Sequence, residues 1–183
     1  MKKIVVIGPE STGKSSLCGQ LAQHYDTYWC PEYARQYLLE NGKDYRYEDL
    51  LAIAKGQLAL EDSYTEKARA ENKEYLFIDT DMYVMKVWSE YVFGKCDNYI
   101  LEQIVQREYD YYFLANIDLP WTADELREYP DEKPRIELFH IYKNLLENQS
   151  TPWSLVSGVG EERIAGARRV LDATISNSED AKQ

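Results

Sequence analysis

The segment that most constrains this chain is the octapeptide Gly8-Pro9-Glu10-Ser11-Thr12-Gly13-Lys14-Ser15. It matches GxxxxGK followed by Ser or Thr in full, follows an apolar β-branched run at residues 4–7, and opens a stretch with helical periodicity. Glycines in such a loop let backbone N–H groups and a helix N-terminus surround phosphate oxygens, where a side chain would intrude. The spacing therefore predicts a nucleotide phosphate site at the end of a buried parallel strand.

This phosphate loop supplies most of the predicted nucleotide-binding residues. Lys14 is expected to reach the β and γ phosphates of ATP and to be catalytic, and Ser15 to offer its hydroxyl to Mg²⁺. A glycine turn without function is the alternative, and the flanking strand and helix argue against it. The predicted ATP-binding residues of the loop are Gly8, Glu10, Ser11, Thr12, Gly13, Lys14, Ser15 and Ser16.

A phosphate loop by itself does not choose among kinases, GTPases, motors and transporter ATPases. The chain lacks an NKxD motif for reading a guanine base, and it lacks the LSGGQ signature of transporter ATPases. With 183 residues it is also short for a mechanical ATPase. These observations favour a small-molecule kinase.

Strand and helix patterns alternate along the rest of the chain. Apolar runs predict strands at residues 4–7, 27–30, 75–78, 111–115 and 153–156. Helical periodicity begins at residue 14 and returns at residues 32–39, 47–72, 83–93, 136–146 and 161–175. The alternation predicts an α/β fold, a parallel sheet in a three-layer sandwich, with residues 1–183 forming a single domain.

Two aspartates follow the third predicted strand, at the carboxyl edge where ligands of open parallel sheets bind. Asp79 comes directly after the strand and is predicted to be catalytic, holding Mg²⁺ through water or orienting the attacking hydroxyl. Asp81 is a predicted substrate residue, and the structural alternative is an N-cap of the next helix.

An acidic and a basic residue follow the second predicted strand. Glu32 can accept the proton of a substrate hydroxyl, and Arg35, one helical turn later, can fix a ribose or a phosphate. A surface ion pair is the alternative for these two side chains. Glu32 and Asp79 both remain candidates for the general base.

Residues 116–135 are polar, acidic and interrupted by Pro120, Pro130 and Pro134, which predicts a surface loop or a short helical lid. Arg127 and Arg135 are isolated cations in this acidic segment. We expect both to bind ATP phosphates when the lid closes, and Arg127 to be catalytic. Solubilising charge is the alternative.

Charge and cysteine usage exclude several classes of protein. The chain has 21 Lys and Arg against 32 Asp and Glu, a net charge of −11, which argues against a protein that coats nucleic acid or anionic membrane. Its three cysteines form no CxxC pair, so neither a disulfide framework nor a zinc site is encoded. No apolar run approaches the roughly 20 residues that cross a bilayer. We predict a cytoplasmic protein that acts on a small molecule, without a nucleic-acid or membrane partner.

Together these residues resemble the ribosylnicotinamide (nicotinamide riboside) kinase domain of bifunctional NAD-biosynthesis proteins. The resemblance covers nearly the whole chain. It rests on the phosphate loop, on Glu32-Tyr33-Ala34-Arg35, on Phe77-Ile78-Asp79-Thr80-Asp81, and on Trp121-Thr122-Ala123-Asp124-Glu125-Leu126-Arg127 with Arg135.

The resemblance implies transfer of the γ-phosphoryl group of ATP, with Mg²⁺, to the 5′-hydroxyl of nicotinamide riboside. It also implies a fold similar to nucleoside and nucleotide kinases, with strand order 2-3-1-4-5. The predicted substrate residues are then Glu32, Tyr33, Arg35 and Asp81. Nicotinamide riboside is a cation that an acidic pocket would suit, and its ring is expected to stack on Trp29, Tyr33, Tyr83 or Trp88.

Two other functions stay open. The first alternative is a kinase of another nucleoside or small metabolite. The second is a nucleotide-sensing module that binds ATP or a dinucleotide without turnover. Asp79, Glu32 and the lid arginines favour turnover, because a pure sensor has less need of a general base or a closing lid.

Overall fold

The computed structural model of the chain describes residues 1–122 and 131–180. Strands and helices alternate in these ranges as the sequence predicts. The strands are β1 (Lys2–Ile7), β2 (Tyr28–Cys30), β3 (Tyr75–Asp79), β4 (Tyr111–Ala115) and β5 (Trp153–Val156). The helices are α1 (Lys14–His24), α2 (Tyr33–Asn41), α3 (Tyr47–Ala70), α4 (Met82–Phe93), α5 (Asn98–Gln106), α6 (Glu132–Glu147) and α7 (Glu161–Asp180).

The strands form one parallel sheet with the order β2-β3-β1-β4-β5, which confirms the order implied by the family resemblance. The central strand β1 pairs with β3 on one side and β4 on the other, so that Val6 lies opposite both Asp79 and Phe113. Parallel pairing brings the carboxyl ends of all the strands to one edge of the sheet. The phosphate loop follows β1 at that edge, Glu32 follows β2, and Asp79 ends β3.

Helices cover both faces of this sheet and complete the predicted three layers. Helices α1 and α7 pack on one face, where Leu17, Leu21 and Leu171 meet Phe77 and Phe113. Helices α4 and α6 pack on the other face with apolar side chains that include Val84, Val87, Leu138 and Leu146. A third apolar cluster joins α2, α3, α4 and α5 beside the sheet edge that β2 forms.

Three helices differ most from the sequence predictions. Helix α5 has no predicted counterpart; it begins after Asp97, whose carboxylate accepts a hydrogen bond from Tyr99 N at 2.8 Å. Helix α6 begins at Glu132 and not at residue 136, because Pro134 fits its first turn, where an N–H group has no helical partner. Helix α7 runs five residues past the predicted end. Of the predicted lid at 116–135, residues 123–130, with Arg127, lie outside the described residues.

Within the described ranges, no helix combines the length and the apolar character needed to cross a membrane.

Candidate active site

A cavity of about 480 Å³ opens at the carboxyl edge of the sheet. The phosphate loop, residues 8–16, forms one end of it. The other end is built from the β2–α2 connection and from side chains of α4 and α6. Its polar lining beyond the loop is Glu32, Arg35 and Asp79, and its apolar wall includes Trp29, Trp88, Tyr91, Leu138 and Tyr142.

Two glycines of the phosphate loop hold backbone positions that a side chain would block. Gly8 has a φ of 144°, and a Cβ there would lie 2.9 Å from Ala115 O on the neighbouring strand. Gly13 precedes α1 in the left-handed region, at φ 74°, and no side chain caps the first N–H groups of that helix. A helix N-terminus without a side-chain cap binds anions well. The loop therefore fits the phosphates of a nucleotide.

The basic residue of the loop lies over its own backbone. Lys14 Nζ donates to Pro9 O at 3.0 Å, and Thr12 Oγ1 donates to the same carbonyl at 2.7 Å. These two bonds join the start of the loop to its end. The ammonium group is thereby held at the phosphate end of the cavity.

Ser15 and Asp79 form a donor set that suits Mg²⁺. Ser15 Oγ donates to Asp79 Oδ2 at 2.5 Å, and Asp79 Oδ1 is buried without a hydrogen-bond partner in the described part of the chain. A hydroxyl and one carboxylate, completed by phosphate oxygens and water, are ligands that Mg²⁺ commonly takes. Within the same ranges no group of three or more His, Cys, Asp or Glu side chains could hold a metal without such help.

Both candidate bases have a raised pKa. Burial and then the nearby Asp79 carboxylate raise the pKa of Glu32, and Lys14 and Arg35 act in the opposite direction. Burial also raises the pKa of Asp79, against Lys14 and the hydrogen bond from Ser15. Perturbed carboxylates gathered in a cleft are typical of functional sites.

Aromatic side chains also line the cavity. Of the four aromatic residues predicted to stack on a substrate ring, Trp29 and Trp88 line the cavity, and Tyr33 and Tyr83 do not. Trp88 Nε1 donates to Tyr45 OH at 2.9 Å, which holds the indole in place. Sequence reasoning missed Tyr91, although it lies on the same face of α4 as Trp88, Val87 and Val84 at helical spacing.

Asp81 is the N-cap of α4, which is the structural alternative to its predicted role at the substrate. Its Oδ1 accepts hydrogen bonds from Tyr83 N and Val84 N, and its Oδ2 accepts one from Tyr112 OH at 2.7 Å. Thr80, at φ 79°, turns the chain so that Asp79 and Asp81 have different partners. Burial raises the pKa of Asp81 to about 6. Asp81 is not among the residues that line the cavity, so the structure does not place it at the predicted substrate site.

Arg135 is not among the residues that line the cavity. It is buried in the first turn of α6, and its Nη2 donates to Leu119 O at 3.2 Å. The chain around Leu119 lies against the phosphate loop, since Thr122 N donates to Ser11 Oγ at 2.9 Å. The structure thus places Arg135 against Leu119, and its contact with ATP phosphates on lid closure stays a prediction.

Arg163, in the first turn of α7, was not among the predicted site residues. Only 5% of it is exposed. Its Nη2 donates to Thr12 O at 2.9 Å in the phosphate loop and to Asn116 O at 3.3 Å. Its Nη1 donates to Asp118 Oδ1 at 2.8 Å and to Gly158 O at 3.1 Å. One guanidinium thus joins the phosphate loop to the loops that follow β4 and β5. No local sequence signal could have revealed a contact across 151 positions.

Known proteins resemble this chain in sequence and in fold. A family model described as an AAA domain matches residues 3–163. The trifunctional NAD biosynthesis/regulator protein NadR of Escherichia coli K12 is 27% identical over 154 residues, which are 82% of this chain and 37% of that protein. The chain thus spans about a third of the length of this curated relative.

Two solved structures have the same fold. A crystal structure of NadR protein in complex with NR aligns with a TM-score of 0.74 at 23% identity, over 91% of this chain and 47% of that one. Thymidylate kinase from Ehrlichia chaffeensis aligns with a TM-score of 0.65 at 12% identity, over 93% and 98% of the two chains. These likenesses confirm the predicted fold of the nucleoside and nucleotide kinases.

A pair of substitutions at Asp81 separates its capping role from a substrate role. Asp81→Asn keeps an acceptor for the helix N–H groups, so we expect the free energy of unfolding to change by less than about 1 kcal/mol. Asp81→Ala removes the acceptor of Tyr83 N, Val84 N and Tyr112 OH and should cost about 2–3 kcal/mol. Urea denaturation of both variants measures the difference, and equal losses would contradict the capping role.

A lysine cannot reproduce the four contacts of Arg163, because it lacks the planar fork of the guanidinium. We expect Arg163→Lys to lower the free energy of unfolding by about 1–3 kcal/mol, since buried acceptors lose their donor. Arg169→Lys, at an exposed position of the same helix, is the matched control and should stay within about 0.5 kcal/mol of wild type. Identical urea midpoints for the two variants would argue against the role of Arg163.

Proposed function

From the premise that the chain belongs to the AAA domain family, we propose that it is an ATP- and Mg²⁺-dependent kinase that phosphorylates nicotinamide riboside to nicotinamide mononucleotide. The observation that carries this proposal is the single cavity that joins the phosphate loop to Glu32 and an aromatic wall. A phosphoryl donor and an alcohol acceptor need this arrangement, because transfer requires both in line within one enclosed site. The similarity to NadR supports the kinase step alone, since it covers about a third of that protein.

The donor end would hold ATP by its phosphates. Backbone N–H groups of residues 10–16, at the N-terminus of α1, would surround the phosphate oxygens, and Lys14 would reach the β and γ groups. Ser15 and Asp79 would bind Mg²⁺ between them. The metal, when bound, supplies positive charge that offsets the negative charge developing on the phosphoryl oxygens.

At the acceptor end, Glu32 would accept the proton of the 5′-hydroxyl. As that proton leaves, the hydroxyl oxygen forms a bond to the γ-phosphorus, and the bond from this phosphorus to the β–γ bridging oxygen breaks to release ADP. The pKa of Glu32 is raised by burial and by Asp79, which brings a carboxylate closer to the range where a general base works best. Asp79 accepts a hydrogen bond from Ser15, the other candidate ligand of Mg²⁺. This contact favours Asp79 as the metal ligand and Glu32 as the general base.

The acceptor itself is proposed from charge and shape. The cavity is lined by three carboxylates, Glu10, Glu32 and Asp79, against two cations, Lys14 and Arg35. Trp29 and Trp88 also line it and offer indole rings to a flat acceptor. A positively charged pyridinium gains from both features, since cations are attracted to carboxylates and to aromatic faces. The crystallised NadR complex with NR is in keeping with this assignment. Neutral nucleosides gain from stacking alone, and they are the second candidate acceptors.

An acceptor panel tests the proposal. With ATP and Mg²⁺, purified protein should convert nicotinamide riboside to nicotinamide mononucleotide at a higher kcat/KM than it shows for adenosine, cytidine or thymidine, as measured by chromatography of the products. Lys14→Ala should lower the rate at least about a hundredfold, the effect of losing one main transition-state donor.

Faster transfer to a neutral nucleoside would reject nicotinamide riboside and keep the kinase class. ATP binding without transfer to any acceptor would favour the nucleotide-sensing module. Unchanged turnover in Lys14→Ala would reject the assigned phosphate site.

Two carboxylate substitutions separate the metal ligand from the base. We expect Asp79→Asn to raise the Mg²⁺ concentration that gives half-maximal rate and to recover part of its activity in excess metal, because it weakens one ligand. Glu32→Gln should lower kcat by about 10²–10⁴-fold at every Mg²⁺ concentration, the range for losing a general base. Initial rates across a Mg²⁺ titration measure both effects. Metal rescue of Glu32→Gln would reverse the two assignments.

A further inference from the structure

One buried side chain holds the peptide groups on both sides of Glu32. Gln57, on α3, is 1% exposed. Its Oε1 accepts a hydrogen bond from Tyr33 N at 2.7 Å, and its Nε2 donates to Pro31 O at 3.3 Å. The amide therefore bonds to the residue before Glu32 and to the residue after it. The segment 31–33 is thus held by a side chain of α3 that lies 24 positions after Tyr33 in the chain.

The residue next to Gln57 receives the ring of Tyr33. Gly56 lies in the interior of α3, where glycine lowers helix stability and where its backbone needs no positive φ. A Cβ at this position would lie 2.0 Å from Tyr33 Cε1. Space for the ring explains the glycine. Gly56 and Gln57 thus form a seat for Tyr33, with the ring on the first residue and the backbone N–H on the second.

This seat leaves the Glu32 carboxylate available to the cavity. Glu32 is the N-cap of α2, and its side chain makes no hydrogen bond to that helix. Gln57 accepts from the first N–H of the helix, that of Tyr33, which has no acceptor within the helix. The Glu32 side chain lines the cavity with Asp79.

The helix that carries the seat is itself fixed to the sheet. Glu61, one turn after Gln57, is fully buried. It accepts hydrogen bonds from Lys3 Nζ at 2.8 Å and Tyr109 OH at 2.9 Å, and it pairs with Arg107 at 3.1 Å. Since Lys3 belongs to the central strand, the position of Gln57 is set relative to the phosphate loop that follows the same strand.

We propose that Gly56 and Gln57 are positioning residues for Glu32, and that this seat on α3 sets the orientation of the general base toward the acceptor hydroxyl. The inference rests on the proposed kinase function. Neither residue is among those that line the cavity, so they act through the backbone of segment 31–33. Tyr33, predicted from sequence to contact the substrate, then serves as the part of α2 that the seat holds.

The first test is Gln57→Met, which keeps the shape of the side chain and removes both polar atoms. We expect kcat to fall about tenfold to a hundredfold, the scale of displacing a catalytic group by about 1 Å, and the Kd for ATP to stay within about twofold. Gln20→Met, at an exposed position of α1, is the matched control and should leave both constants unchanged. Unchanged kcat in Gln57→Met, or a parallel loss of ATP binding, would overturn the proposal.

A second measurement does not depend on turnover. Hydrogen exchange of the Tyr33 amide, followed by NMR, should speed up at least about tenfold in Gln57→Met and not in Gln20→Met, because the amide loses its acceptor. Unchanged exchange would overturn the seat. If the wild type phosphorylates no acceptor, the proposed function fails, and the amide exchange still decides whether the seat exists.

A double-mutant cycle tests the ring of Tyr33. Gly56→Ala should lower kcat by displacing the ring, and in the background of Tyr33→Ala the same change should have no further effect, because the clash is gone. Tyr33→Phe keeps the ring and should leave the acceptor KM unchanged. Additive effects in the cycle would show that Gly56 does not act through the ring of Tyr33, and a raised acceptor KM in Tyr33→Phe would show that Tyr33 acts on the substrate. Either result would overturn the role of the seat.

Discussion

Asp79 pairs in register with Val6, two residues before the phosphate loop begins, and this backbone pairing determines where the site can form. The pairing places the carboxylate beside the first turn of α1, where Ser15 reaches it at 2.5 Å. A shift of one residue between β1 and β3 would turn Asp79 to the other face of the sheet and separate the two groups. The candidate metal ligands therefore depend on strands that are buried along most of their length.

Different elements hold the two sides of the phosphate loop. On the side of β4 and β5, Arg163 joins Thr12 O to the bases of two loops, and Arg135 holds the base of the lid through Leu119 O. On the side of β2, helix α3 holds the segment that carries Glu32. Substitutions on the first side are therefore expected to act on nucleotide binding, and those on the second on the acceptor and the base.

The features that could be predicted from the sequence depend on neighbouring residues. A phosphate loop is local, and buried parallel strands are apolar runs, so the sheet and Asp79 at the end of β3 followed from short patterns. The features that could not be predicted join distant residues. Asp81 accepts a hydrogen bond from Tyr112, 31 positions away, and Gln57 accepts one from Tyr33, 24 positions away. In a single sequence, Asp81 is only a polar residue of a loop and Gln57 only a polar residue of a helix. Helix α5 was missed although Ile100 and Ile104 recur at helical spacing after Asp97, a residue type that favours the N-cap, so its signal was present in the sequence.

Part of the net negative charge of −11 lies in the cavity, where it bears on the choice of acceptor. Any kinase of an alcohol needs a carboxylate for the metal and one for the proton, so Asp79 and Glu32 do not by themselves indicate the charge of the acceptor. Glu10 adds a third carboxylate against two cations, and of these Lys14 is directed to the phosphates and Arg35 follows Glu32 on α2. What distinguishes a cationic acceptor from a neutral one is therefore the excess of carboxylates over cations beside two indole rings. In a partly enclosed site that excess attracts a pyridinium more strongly than it would in open water, because the lower local dielectric strengthens the interaction.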